Sequence, residues 1–196
     1  MRRARFVPSL CVTLLVLGLA LPASAGPAVG AAAPDFTLTA IDGSTFQLSN
    51  ALKSNKAVVL AFIATKCPYD AGYNQRKQEI AKAYAAKGVL FVGINSNKAE
   101  LVDEMKSHAS KYGHTFPILK DTGNKVADLY GAQRTPEVFV IDSKGMLRYH
   151  GRIDENYEDA SKVQSPDLKN ALDQMLAGQP VTNAQTKAFG CTIKRG

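Results

Sequence analysis

An unbroken apolar run that leads into a cysteine and a proline is the feature that most limits how this chain can fold. Residues 58–64 contain no polar side chain, which is typical of a strand covered on both faces of a sheet. Cys67 and Pro68 follow after two residues, Thr65 and Lys66, and proline fits the first position of a helix at little cost. The segment therefore predicts a buried strand that turns into a helix at Cys67.

A cysteine at the start of a helix is suited to nucleophilic chemistry. The free backbone N–H groups and the helix dipole favour a thiolate, and so does the neighbouring Lys66, whereas the charge of Asp70 opposes it. The alternative is an unreactive buried cysteine. Asp70 stands where a Cys-x-x-Cys motif has its second thiol; we expect it to be an acid of the first helical turn, with a general acid or base near the sulfur as the alternative.

The first 25 residues have the organisation of a secretory signal peptide. Residues 1–5 are basic, residues 10–21 are apolar, and small residues at 23–25 supply a cleavage point. The apolar run is shorter than the roughly 20 residues that span a bilayer. We therefore expect a periplasmic protein formed by residues 26–196, with no stable membrane anchor after cleavage.

Charge and histidine spacing argue against nucleic acid and metal as partners. The chain has 24 Lys and Arg against 17 Asp and Glu, and the two signs alternate along helical segments, which is typical of a solvated surface. His108, His114 and His150 lie on separate segments without ligand spacing. No metal or other cofactor is expected.

Apolar periodicity divides residues 26–196 into strands and helices of one domain. Alternating runs around Asp42 and Gly43 predict an N-terminal β-hairpin. A helix over 68–86 between two buried strands predicts a right-handed parallel unit, and the order of elements predicts an α/β fold with a central mixed sheet flanked by helices. The remaining predictions are a strand over 89–94, a helix with Leu101, Val102, Met105 and Tyr112 on its apolar face, a strand over 117–119, a helix over 125–130, a hairpin around Gly145, a helix with Ser165 as N-cap that ends at Gly178, and an unpatterned tail over 179–196.

These elements and motifs resemble the thioredoxin-like redoxins. Residues 62–68 look like the active-site strand and turn of that fold, with Cys67 as the nucleophile, and residues 134–142 resemble the segment that carries its cis-proline. The chain is similar to the peroxiredoxin-like branch of the alkyl hydroperoxide reductase and thiol-specific antioxidant (AhpC/TSA) superfamily. That branch carries motifs like those at 94–97, 151–154 and 190–194. The resemblance implies a thioredoxin-like fold for nearly all of residues 26–196.

The resemblance also implies a substrate groove beside Cys67. The residues that match the walls of this groove are Thr65, Lys66, Pro68, Asp70, Arg134, Thr135 and Pro136. An exposed backbone beside Pro136 would pair with an extended substrate as an added strand; the alternative is a strand edge that tolerates proline. Arg134 would hold an anionic group or be solvated. Ala64 stands where a typical peroxiredoxin has a peroxide-binding threonine, which argues against peroxidase activity.

Cys191 is the second thiol of residues 26–196, since Cys11 lies in the predicted signal peptide. Three roles are open: a resolving thiol that bonds reversibly with Cys67, a permanent bridge contributing roughly 4 to 5 kcal/mol, and a packed hydrophobic residue. The expected function is thiol redox chemistry on a thiol or disulfide protein or a peroxide, reset by an external thiol reductant. The alternative is a catalytically inactive binding module with a static or absent disulfide.

Overall fold

The computed structural model describes Met1 and residues 26–196. The strands are β1 (Thr37–Ala40), β2 (Thr45–Gln47), β3 (Ala57–Phe62), β4 (Val89–Asn95), β5 (Ile118–Lys120), β6 (Arg134–Thr135), β7 (Glu137–Asp142), β8 (Leu147–Gly151) and β9 (Cys191–Thr192). The helices are α1 (Leu48–Ser54), α2 (Pro68–Ala71), α3 (Asn74–Ala85), α4 (Val102–Tyr112), α5 (Lys125–Tyr130) and α6 (Asp167–Leu176), with single 3₁₀ turns at Thr122–Asn124 and Ala160–Lys162. The predicted signal peptide lies outside the described residues, apart from Met1.

Seven of the strands form one mixed sheet in the order β2-β1-β5-β4-β3-β7-β8. β3 pairs with β4, and β4 with β5, in parallel, whereas β1 joins β5 and β7 joins β3 in antiparallel orientation. β1 and β2 form the predicted N-terminal hairpin. The α/β class, the central mixed sheet and its parallel unit are confirmed.

The core lies on both faces of this sheet. Every residue of β3 is buried, and alternate side chains point to opposite faces. One face packs against α3, α4 and α6 through side chains such as Ile80, Met105 and Leu172. The other face packs against α1 and α5 through Leu48 and Tyr130. Cys67 therefore follows the best-buried strand of the molecule.

The predicted helix over 68–86 is wrong, because it is broken between α2 and α3. Gly72 lies so close to the Tyr157 backbone that a Cβ would stand 2.2 Å from its carbonyl oxygen. The Arg76 guanidinium binds the same loop. It donates to the Asp154 carboxylate at 2.7 Å and to the Tyr157 carbonyl at 2.9 Å. Tyr73 donates its hydroxyl to the Asp154 carbonyl. These contacts with the loop after β8 separate the turn that carries Cys67 from the longer helix.

Two further helix predictions need correction. Met105 is buried on α4, but Leu101, at 65% exposure, faces solvent, as do Val102 and Tyr112, because the buried stripe of this helix consists of Met105 and Ala109 alone. Pro166, not Ser165, is the N-cap of α6. The Ser165 hydroxyl donates to the Asp167 carboxylate instead.

The part of the chain that the structure describes includes no helix with the length and apolar character needed to cross a bilayer.

Candidate active site

Cys67 stands between the loop after β3 and the first turn of α2. Its backbone is extended, with φ −94° and ψ 119°, and Pro68 takes the first helical position. The Asp70 N–H donates to the Cys67 Sγ at 3.4 Å, and the Cys67 thiol donates to the Thr135 carbonyl at 3.2 Å. Only 3% of the Cys67 surface is exposed. The turn thus holds a nearly enclosed sulfur between α2 and the segment before Pro136.

The loop before Cys67 is fixed by Glu100, a residue that the sequence analysis missed. The Glu100 carboxylate accepts the Thr65 N–H at 2.7 Å, the Thr65 hydroxyl at 2.8 Å and the Lys66 N–H at 3.3 Å. It also accepts the Asn95 side-chain amide at 2.6 Å. The Thr65 hydroxyl is therefore bonded within the protein, where it helps to fix the loop before Cys67.

Lys66 does not stand free beside the sulfur. Its ammonium lies 2.8 Å from the Glu104 carboxylate on α4, at the surface. The hydrogen bond to Glu104 raises the pKa of Lys66. The charge of Lys66 is thus largely compensated by Glu104, and its expected support of a Cys67 thiolate is correspondingly reduced.

Asp70 is an acid of the first turn of α2, as predicted, and it is also a buried ion-pair partner. Its Oδ2 lies 2.7 Å from the Lys77 ammonium, and both side chains are fully buried. The Ala64 N–H donates to the same oxygen at 3.1 Å, while Oδ1 finds no hydrogen-bond partner among the described residues. The sequence analysis missed Lys77, although it stands two helical turns after Asp70, because the break at Gly72 and Tyr73 hides that spacing.

Two of the three histidines, His108 and His114, lie together although they stand on separate segments. Their ring centroids are 5.7 Å apart, and Nε2 of His114 lies 3.3 Å from the Asn74 carbonyl. Burial and then the charge of Lys77 lower the pKa of His114 to about 4 and also lower the pKa of His108. Among the described residues, no group of three His, Cys, Asp or Glu side chains gathers as metal ligands would.

The Thr135–Pro136 peptide bond is cis, and the loop around it is held by Glu137. One oxygen of the Glu137 carboxylate accepts the N–H groups of Gln133 and Arg134 at 2.8 and 2.9 Å. The other oxygen lies 2.7 Å from His150 Nε2. This buried carboxylate fixes the backbone that faces Cys67.

The predicted C-terminal tail is largely irregular, but its end forms a short strand against this loop. β9 pairs with β6 in antiparallel orientation, with Cys191 opposite Thr135 and Thr192 opposite Arg134. Ile193 is buried, and its N–H donates to the Gln133 carbonyl at 3.0 Å. We call residues 190–195 the docked tail. The docked tail takes the strand edge that was expected to be open to an extended substrate.

Arg134 binds the docked tail. Its guanidinium donates to the Thr192 hydroxyl at 2.9 Å and to the Gly190 carbonyl at 3.4 Å. Gly190 has a φ of 144°, and a Cβ there would stand 2.1 Å from the Thr135 carbonyl oxygen. Only glycine allows the chain to approach the cis-proline loop this closely.

The docked tail brings its cysteine to Cys67. Both are free thiols. Burial, and then a hydrogen bond and charge repulsion with Cys67, raise the pKa of Cys191 to about 11, against a smaller opposing effect of the Tyr69 N–H. Cys191 is partly exposed, whereas Cys67 is buried. The two thiols are thus neighbours, and Cys191 is the outer one.

A family model describes most of the fold built above. The model of the AhpC/TSA family matches residues 29–150, a range that includes every strand of the seven-stranded sheet except the last residue of β8 and that carries both Cys67 and the cis-proline loop. The chain belongs to the AhpC/TSA family. Cys191 and the docked tail lie beyond the matched residues.

The relatives of this chain include a thiol-disulfide oxidoreductase and a peroxiredoxin. A thiol-disulfide oxidoreductase ResA of Geobacillus thermodenitrificans is 31% identical over 121 residues, 62% of this chain and 67% of ResA. A chloroplastic peroxiredoxin Q of Triticum aestivum is 33% identical over 132 residues, 61% of this chain and 57% of that protein.

The similarity to a solved structure covers a larger part of the chain. The crystal structure of a hypothetical protein from Sinorhizobium meliloti 1021 is similar with a TM-score of 0.80 and 34% identity, over 87% of this chain and 96% of that one. The fold of this AhpC/TSA family member is thioredoxin-like, as the sequence resemblance implied.

Proposed function

We propose that this protein is an exported thiol redox protein in which Cys67 is the nucleophile and Cys191 is the resolving thiol. The observation that carries the proposal is the pairing of β9 with β6, which sets Cys191 opposite Thr135 while the Thr135 carbonyl accepts the Cys67 thiol. The names of the ResA and peroxiredoxin Q relatives support thiol chemistry. The signal peptide predicted over residues 1–25 supports export to the periplasm, where disulfides form and persist.

The chemistry has the same two steps for either class of oxidant. The Cys67 thiolate attacks one sulfur of a disulfide R–S–S–R, so that a mixed disulfide forms and one R–S⁻ leaves. With a hydroperoxide, the thiolate attacks one oxygen, the O–O bond breaks, the alcohol leaves after taking a proton, and Cys67 becomes a sulfenic acid. Cys191 then attacks the Cys67 sulfur and displaces the second R–S⁻ or, from the sulfenic acid, water. Each route ends in a Cys67–Cys191 disulfide.

The partly exposed position of Cys191 indicates how the disulfide is reset. An external thiol attacks the sulfur that it can reach, which is Cys191, and Cys67 is the leaving thiolate. A second external thiol then attacks the mixed disulfide and releases Cys191, so two reductant thiols become one disulfide and both protein thiols are restored. The Asp70 N–H lies 3.4 Å from the Cys67 Sγ, where it supports the leaving charge by a hydrogen bond.

The second candidate is a binding module that keeps the fold without turnover. The near-complete enclosure of Cys67 and the presence of Ala64 in place of a peroxide-binding threonine favour it. In that case Cys67 and Cys191 either do not bond or form a permanent bridge. A bridge with a reduction potential far below about −300 mV would indicate such a structural role.

The test is to treat the reduced protein with hydrogen peroxide and, separately, with glutathione disulfide, and to map the products by mass spectrometry. We expect a Cys67–Cys191 disulfide that dithiothreitol reverses. Cys191→Ser should still consume one equivalent of oxidant, whereas Cys67→Ser should not. If Cys67→Ser consumes both oxidants as fast as the wild type, the proposal is wrong.

A further inference from the structure

The docked tail occupies a position that an extended peptide would otherwise take. A strand with a free edge pairs with other extended chains through its backbone N–H and carbonyl groups. At β6 this edge faces β9, with Arg134 opposite Thr192 and Thr135 opposite Cys191. The pairing continues through the Ile193 N–H, which donates to the Gln133 carbonyl. The backbone beside Pro136 is therefore already paired within the chain.

The docked tail is also attached beyond this strand pair. The Lys194 N–H donates to the Asn97 side chain at 2.8 Å, and the Lys98 N–H donates to the Lys194 carbonyl at 3.0 Å. The Arg195 guanidinium donates to the Asp128 carboxylate at 2.8 Å. A polypeptide that bound at β6 would have to displace these bonds together.

Phe189, the residue before the docked tail, packs against two tyrosines. Phe189 lies 6.3 Å from Tyr69 and 6.3 Å from Tyr157, and these two tyrosine rings are themselves 4.4 Å apart, measured between ring centroids. Tyr69 is the second residue of α2, next to Pro68 and Cys67. Only 3% of the Cys67 surface stays open, which leaves no room for a folded protein or an extended segment.

We propose that residues 190–195 occupy the position that an extended protein substrate would take, and that they thereby restrict Cys67 to small reactants. This inference rests on the proposed function, since it concerns what the Cys67 nucleophile accepts. Gly190 and Arg134 are the residues that set the restriction. Gly190 lets the docked tail approach Thr135 without a side chain between them, and Arg134 holds the docked tail at the Thr192 hydroxyl.

The test compares two reagents that carry the same aromatic leaving group. One is the mixed disulfide of that group with N-acetylcysteine amide, and the other is its mixed disulfide with a cysteine at the centre of an unstructured peptide of about ten residues. Release of the aromatic thiol is followed in the reduced Cys191→Ser protein, and peptide mapping assigns the adduct to Cys67. The measured quantity is the ratio of the peptide rate to the small-reagent rate.

With the docked tail in place, we expect this ratio to be at most about one tenth, because the peptide must displace several hydrogen bonds. Adding Gly190→Ala should raise the ratio towards one, since the new Cβ cannot fit against the Thr135 carbonyl. Arg134→Ala, which weakens the attachment without a steric clash, should raise the ratio about threefold or more. Gly178→Ala is the matched control, because Gly178 also has a positive φ but meets no atom within 4 Å, and it should leave the ratio unchanged.

A ratio near one before any change to the docked tail would overturn the inference. So would a low ratio that neither Gly190→Ala nor Arg134→Ala raises. Both results leave the proposed function intact, since Cys67 still reacts with the small reagent. If Cys67 reacts with neither reagent in any of the variants, the proposed function itself is contradicted.

Discussion

Cys191 lies directly opposite Thr135 in the β6–β9 pair, and the Thr135 carbonyl oxygen is 3.2 Å from the Cys67 Sγ. One residue of the cis-proline loop thus contacts the first thiol and aligns the second. The two thiols come together only because β9 is docked, and the properties of Cys191 should therefore depend on Cys67.

The ionisation of Cys191 tests this dependence. Its pKa of about 11, against an ordinary 9.0, predicts that iodoacetamide labels it with a midpoint near pH 11, and that near pH 8 its thiolate fraction is lower by about a hundredfold. Cys67→Ser should lower this midpoint, because the interaction with Cys67 is lost, but not fully to 9.0, because burial is the largest cause. Labelling is measured by mass spectrometry across pH; a midpoint at or below pH 9 in the wild type would contradict the arrangement.

Glu100→Gln should weaken both the fold and the reactivity of Cys67. An amide nitrogen cannot accept the N–H and O–H groups of Thr65 or the Lys66 N–H. Because at least one buried donor is then left unpaired, we expect the free energy of unfolding to fall by about 1–3 kcal/mol. Urea unfolding measures this loss, and the rate of Cys67 oxidation measures the loosened loop. Glu104→Gln is the control, since it removes only a surface partner of Lys66; equal effects of the two variants would argue against Glu100 as a positioning residue.

Breaking the Asp70–Lys77 pair should be strongly destabilising. Lys77→Met leaves the Asp70 carboxylate buried without its counter-charge, and we expect the free energy of unfolding of the reduced protein to fall by about 3–5 kcal/mol. The double variant Asp70→Leu/Lys77→Met should recover more than half of that loss, because it leaves no unpaired charge. Lys87→Met, which removes the exposed pair with Asp173, should leave the urea midpoint close to that of the wild type. If the double variant is no more stable than Lys77→Met, the loss of the counter-charge is not the cause of the destabilisation.

His114 should make the protein lose stability in acid. Its folded pKa of about 4 lies below the ordinary 6.5, so both states are neutral above pH 6.5 and the unfolded chain takes up a proton first as the pH falls towards 4. Stability is therefore fully present above pH 6.5 and is lost through that window.

The matched variant is His114→Phe, which keeps an aromatic ring beside Phe116 but does not titrate. Its free energy of unfolding should fall less than that of the wild type between about pH 7 and about pH 4.5. The urea unfolding of both proteins at the two pH values measures the difference. An identical fall in the two proteins would mean that His114 is not the titrating group.

Local patterns were enough to predict most of the sheet and several helices. The apolar runs before Cys67 and after Gly88 became β3 and β4, and the helix over 125–130 has the predicted bounds. These elements are determined by local features of the sequence, such as the spacing of apolar side chains and a glycine at a turn. The position of Cys67 at a strand-to-helix turn follows from the same kind of information.

The parts of the site that were missed depend on residues that are distant in the sequence. At the helix break, Gly72 packs against the Tyr157 carbonyl, a contact that residues 68–86 alone do not reveal. Glu100 binds Thr65 from the loop between β4 and α4. β9 is only two residues long and has no pattern of its own, because its place is determined by Gly190 and by the edge of β6.

The buried Asp70–Lys77 pair also limits how this site could change during evolution. Asp70→Cys alone would introduce the second thiol of a Cys-x-x-Cys motif, but it would leave the Lys77 ammonium enclosed without a counter-charge. A lineage that moved between the two kinds of redox site would have to alter both positions, and either single change passes through a poorly folded ancestor. The ion pair thus opposes the gain of a thiol at position 70 by a single substitution.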